Sequence, residues 1–128
     1  MKEEIIFYRC NHCGNIFLVV KDSHVTPVCC NEKMEKLVAG KQDASLEKHV
    51  PVVNFSGNIV TVDVGEIEHP MLKEHKIDWI YIVTKRGGRL KKLEAGEEPK
   101  ATFAMVEDEL VEVYAYCNIH GLWKSEEQ

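Results

Sequence analysis

A chain of 128 residues, 45% apolar and 29% charged, has the composition of a globular protein and enough length to bury a real core, with a length prior of one domain or one domain plus a small appendage. Its formal net charge of −5 excludes a global basic footprint for nucleic acid. No apolar run reaches the roughly 18 residues of a transmembrane helix, and Met1-Lys2-Glu3-Glu4 lacks the hydrophobic stretch of a signal peptide, so the expected compartment is the cytoplasm.

Residues 1–36 read as a first unit. A short strand over residues 5–9 leads into Cys10-Asn11-His12-Cys13-Gly14, a second covers residues 15–20, and residues 25–28 lead into Cys29-Cys30. So short a unit needs a staple in place of a core, and a metal held by its cysteines supplies one. Residues 37–44 carry little periodicity and include Gly40, the composition of a linker.

From residue 45 to 128 the pattern is short strands. Residues 59–64 alternate and put three valines on one face. Residues 79–84 are rich in β-formers and run into Gly87-Gly88, a turn signal, with residues 89–93 as the returning strand. Residues 101–106 and 110–116 read as another pair, broken by Glu107-Asp108-Glu109. No segment has a long helical period. The expected fold is all-β: an antiparallel sandwich of about seven strands, immunoglobulin-like, behind a small metal-stapled unit.

An odd count of five cysteines argues for metal or redox chemistry over a disulfide framework. Cys10 and Cys13 have the spacing of a metal knuckle, with Gly14 for the turn; the adjacent Cys29 and Cys30 must twist to reach the same ion. Spacing alone leaves open a plain zinc ribbon or an iron–tetrathiolate centre that carries one electron. His12 lies within the knuckle as a possible competitor, and His24 reads as a loop histidine.

A second constellation is His49, His69, His75, Cys117 and His120. Singly each has an ordinary explanation: a surface or satisfied core histidine, a turn at His69-Pro70, a buried small hydrophobe at Cys117. Together they fall at strand ends and turns, where loops converge at one end of a sandwich. Four imidazoles and one thiolate suit a transition metal and leave an octahedral ion one open position. Glu47 and Lys48 immediately precede His49, and the lysine suggests an anionic small molecule.

Glu47-Lys48-His49-Val50-Pro51, His69-Pro70-Met71 with His75, and Cys117-Asn118-Ile119-His120-Gly121-Leu122-Trp123 resemble the motifs of the desulfoferrodoxin family of two-iron superoxide reductases, and Cys10, Cys13, Cys29 and Cys30 resemble the ligands of its desulforedoxin-like N-terminal domain. The resemblance spans essentially the whole chain. It implies an iron–tetrathiolate domain over residues 1–36, a linker over 37–44 and a catalytic β-sandwich over 45–128. It also implies a catalytic iron with His49, His69, His75 and His120 equatorial and Cys117 axial. Glu47 is implied as the sixth ligand in the ferric state, and Lys48 as the charge that attracts superoxide and organises the proton-delivering water. The implied reaction is one-electron reduction of superoxide to hydrogen peroxide without dioxygen. A rubredoxin-like electron donor and a homodimer are implied as well. The rivals are a non-enzymatic electron-transfer or metal-binding module centred on the tetrathiolate and a zinc-ribbon adaptor for nucleic acid, the latter disfavoured by the acidic balance.

Overall fold

A computed structural model of the chain describes residues 4–40 and 46–125, apart from the Glu47 side chain. The chain divides into two compact units, Met1–Val38 and Ala39–Gln128. The first unit has strands β1 (Phe7–Arg9), β2 (Ile16–Leu18), β3 (Val28–Cys29), β4 (Glu32–Lys33) and β5 (Glu35–Lys36). They form an antiparallel sheet in the order β2-β1-β5 and a separate β3-β4 hairpin. Its buried apolar side chains are few: Ile6, Phe7, Cys10 and Met34. So thin a core cannot offset chain entropy without the staple that the cysteines offer.

The second unit opens with one helical turn, α1 (Leu46–His49), followed by β6 (Pro51–Ser56), β7 (Ile59–Val64), β8 (Ile77–Thr84), β9 (Gly87–Lys92), β10 (Lys100–Ala104), β11 (Leu110–Cys117) and β12 (Gly121–Lys124). Seven strands make two antiparallel sheets, ordered β10-β7-β6 and β12-β11-β8-β9, the expected immunoglobulin-like sandwich. The alternation in β7 has its predicted result. Val60, Val62 and Val64 are buried and meet Ile80, Ile82, Val113 and Ala115 of the facing sheet in one core cluster. Full burial of a valine or isoleucine side chain stabilises by about 1.5–3 kcal/mol, so this layer carries the unit.

Two local expectations are corrected. Residues 101–106 and 110–116 do not pair with each other: β10 pairs with β7, while β11 lies between β12 and β8. Crossing between sheets lets both segments face one core, where Ala101 and Met105 meet Val113 and Ala115. The glycines at 87 and 88 are not the hairpin turn. Thr84 pairs with Gly87 and Val83 with Gly88, which leaves Lys85-Arg86 as the two-residue loop. Gly88 serves a neighbour instead, because a Cβ there would collide with the Tyr81 hydroxyl end. Strands β6 and β12 add pairing that periodicity did not announce.

The topology gathers one end of the second unit. α1 ends at His49, the β7–β8 connection carries His69 and His75, and β11 ends at Cys117 before the turn to β12 that holds His120.

Candidate metal centres

In the first unit the sulfur atoms of Cys10, Cys13, Cys29 and Cys30 all lie within 4.8 Å of one another. The knuckle is a tight turn: Cys10 N–H donates to Asn15 O and Gly14 N–H to Cys10 O, both at 2.9 Å. Gly14 takes φ 81°, a conformation that glycine adopts without a Cβ clash. The turn aims the Cys13 amide at Cys10 Sγ, 3.5 Å away, and this contact is the main cause that lowers the Cys10 thiol to about 6. Cys30 and Asn31 adopt φ 51° and 62°, the twist that brings two adjacent cysteines to one place. Hydrogen bonding to Cys10, and then to Cys13 and Cys29, pushes Cys30 up to about 12. A bound ion would ionise the whole set.

Sulfurs in a tetrahedron about an ion at roughly 2.3 Å stand about 3.8 Å apart. Cys13 and Cys29 Sγ are 3.7 Å apart, and Cys29 and Cys30 Sγ 4.0 Å. The group therefore fits a mononuclear tetrathiolate. His12 faces away toward Glu32, at 3.0 Å, and that hydrogen bond raises its pKa. His24 is an exposed loop residue beside Asp22.

In the second unit four imidazoles close a ring. Successive centroids are separated by 4.6 Å (His49–His69), 4.8 Å (His69–His75), 5.1 Å (His75–His120) and 4.9 Å (His120–His49). Each ring stands nearly edge-on to the next, at 76° to 90°. His49 Nε2 lies 3.1 Å from both His69 Nε2 and His120 Nδ1. Adjacent nitrogens in a square about a metal at roughly 2.1 Å stand about 3.0 Å apart, so the imidazole spacing fits an ion at the centre. Cys117 Sγ is buried, 3.8 Å from His120 Nδ1, and forms a tight group with the ligand atoms of His49, His69 and His75. His75 Nε2 is a buried nitrogen with no hydrogen-bond partner, as a metal-directed atom would be. The structure thus brings together every histidine and the cysteine of the second constellation.

Neighbouring groups orient these donors. The Pro70 carbonyl, 2.7 Å from His69 Nδ1, takes that nitrogen's proton as a hydrogen bond and leaves Nε2 free to bind a metal. Burial lowers the His69 pKa to about 4, with the Pro70 contact opposing, so the imidazole is neutral at ordinary pH. Burial also lowers His75, and the charges of His120 and Lys48 push the same way. Burial raises the Cys117 thiol, opposed by the His120 and Ile119 amides. His120 N–H points at Cys117 Sγ from 3.4 Å.

Lys48 is an exposed residue of α1, beside the buried His49. Glu47 also belongs to α1, but its side chain lies outside the described residues. Two contributors were not legible from spacing. The Trp123 ring stacks on His49 at 4.9 Å and 29°, and its Nε1–H donates to His120 O at 3.1 Å. The Asn118 amide bonds to the segment around His75.

Comparison with known proteins converges on one family. Residues 41–126 match the family model described as Desulfoferrodoxin, and residues 2–37 match Desulfoferrodoxin, N-terminal domain. The chain is 43% identical to a desulfoferrodoxin homolog of Archaeoglobus fulgidus, across 98% of this chain and 99% of that one. It is 45% identical to a desulfoferrodoxin homolog of Methanothermobacter thermautotrophicus, across 96% and 99%. Among solved structures it resembles the superoxide reductase of Treponema pallidum, with TM-score 0.83, 34% identity, and coverage of 98% of this chain and 100% of that one.

Proposed function

The chain belongs to the desulfoferrodoxin family and is a superoxide reductase, and we propose that it reduces superoxide at the His49, His69, His75, His120 and Cys117 group. It takes two mononuclear irons, one at each of the two donor groups. The observation that carries the assignment is the closed ring of four imidazoles beside a buried thiol that accepts an N–H from its own turn. The four histidines and the Cys117 sulfur would hold that iron. Bound iron(II) supplies one electron and a position that accepts an anion. The net reaction takes superoxide, one electron and two protons to hydrogen peroxide.

The chain's own residues do the rest. Lys48, exposed beside the cage, raises the local concentration of a small anion and organises water for proton delivery. Its charge already acts on His75. Glu47, one residue earlier, is the carboxylate that would bind the iron once it is oxidised. Cys117 donates electron density as a thiolate, moderated by the His120 N–H. Trp123 and the Pro70 carbonyl hold imidazoles in orientation.

Residues 1–36 serve as the tetrathiolate domain, 37–44 as a linker and 45–128 as the catalytic sandwich; residues 41–44 of the linker lie outside the described residues. A rubredoxin-like protein restores the reduced state, the protein works as a homodimer, and its compartment is the cytoplasm. Five cysteines with no disulfide among them suit a reducing compartment, and no described helix is long and apolar enough to cross a membrane.

The test uses protein carrying both irons, reduced without air and given superoxide. Hydrogen peroxide should form without dioxygen; dioxygen release would mark a dismutase and overturn the proposal. Cys13→Ser separates the two centres. It should remove the tetrathiolate spectrum and loosen the first unit, while superoxide reduction largely survives. Lost reaction with the second iron still bound would mean that the working centre includes the tetrathiolate.

A further inference from the structure

We propose that Asn118 is a positioning residue for His75, its side-chain amide fixing the His75 loop against the Cys117 turn. The inference rests on the reading that His75 and Cys117 hold one metal. Three hydrogen bonds carry it. Asn118 Nδ2–H donates to Glu74 O at 3.1 Å, Lys76 N–H donates to Asn118 Oδ1 at 2.9 Å, and Asn118 N–H donates to Lys76 O at 3.1 Å. The amide therefore brackets His75 from both sides along the chain. Its orientation is set by chemistry, because a carbonyl can only accept and a backbone N–H can only donate.

The β11–β8 ladder ends where Cys117 pairs with Ile77, after a register irregularity between Tyr116 and Cys117. Beyond that point residues 74–76 belong to no strand. His75 spends its own N–H and C=O on Leu72, at 3.2 and 2.9 Å, a local turn that does not reach β11. Asn118 continues the ladder past its end, with a side-chain amide in place of a peptide. It holds His75 Nε2, buried and without a partner, at the ring of imidazoles. Asparagine suits this task. Aspartate has no donor for Glu74 O, and glutamine is longer by a methylene. Residues that orient metal ligands are worth roughly 10–100-fold in metal affinity.

The test uses the full chain with both irons. In reduced wild type, the proton spectrum should show hyperfine-shifted imidazole signals from His49, His69, His75 and His120, assigned with single-histidine variants. In Asn118→Ala the His75 signal should move or vanish while the other imidazoles keep theirs. A chelator should strip the second iron roughly 10–100-fold faster, with the tetrathiolate spectrum retained. All four signals unchanged, or all four displaced together, would overturn the inference, and so would an unchanged release rate. Should Asn118→Ala fail to fold, Asn118→Asp takes its place; it keeps the acceptor for Lys76 N–H, loses the donor, and is judged by the same signals. A wild type without a shifted His75 signal would refute the cage reading itself, and this inference with it. A wild type with that signal and an indifferent Asn118 variant would refute the positioning role alone.

Discussion

Cys117→Ser should abolish the thiolate-to-ferric charge-transfer band and most superoxide reduction. Cys117 is fully buried at the end of β11, with its sulfur 3.4 Å from the His120 amide and 3.8 Å from His120 Nδ1. Serine preserves the shape and can still accept the amide N–H. It removes the soft, ionisable donor, and a buried serine hydroxyl does not become an alkoxide as a thiol becomes a thiolate. The imidazole ring should persist, since its contacts among His49, His69, His75 and His120 do not run through sulfur. Iron should therefore bind, more weakly, in a nitrogen-rich site without the visible band. A variant with unchanged spectrum and activity would remove Cys117 from the axial role.

Lys48→Ala should slow superoxide capture by one to two orders of magnitude and flatten its dependence on salt. Two unit charges about 4 Å apart interact by about 4 kcal/mol at an effective dielectric near 20. Lys48 is exposed, so screening cuts this to a fraction, which is the basis for the smaller figure. Glu47→Ala should leave capture nearly unchanged and open the oxidised site to water or added anions. Pulse-radiolysis rates across ionic strength separate the two residues. Equal low-salt capture by wild type and Lys48→Ala would refute steering; a ferric spectrum indifferent to Glu47→Ala would refute ligand closure.

The core was legible where burial is one-sided. The alternation in residues 59–64 emerged as β7 with all its valines inside. Pairing was less legible, because proximity in sequence favours hairpins while the shared core favours a crossover. That conflict explains why residues 101–106 and 110–116 ended in different sheets. Pro51–Ser56 is hidden because it opens on the proline that closes the Glu47–Pro51 motif, and a leading proline, although tolerated at the start of a strand, does not announce one. In the site, donor identity was visible as residue type and spacing. Orientation was not: the Pro70 carbonyl, the Trp123 ring and the Asn118 amide act through three-dimensional contacts that no spacing announces.

The two donor groups differ in how far along the chain their members lie. Cys10 and Cys29 are 19 positions apart, whereas His49 and His120 are 71 apart. Closing the longer loop costs only about 1 kcal/mol more in chain entropy, but the histidine ring also needs α1, the β7–β8 connection and the β11–β12 turn in their final places. During synthesis the cysteine quartet is complete once the first 30 residues have emerged, while the histidine ring waits for residue 120 and for both sheets to close. The first donor set is thus complete while most of the chain is still to be made, early enough for an ion to help the nascent unit fold, whereas the second exists only as a product of the finished fold.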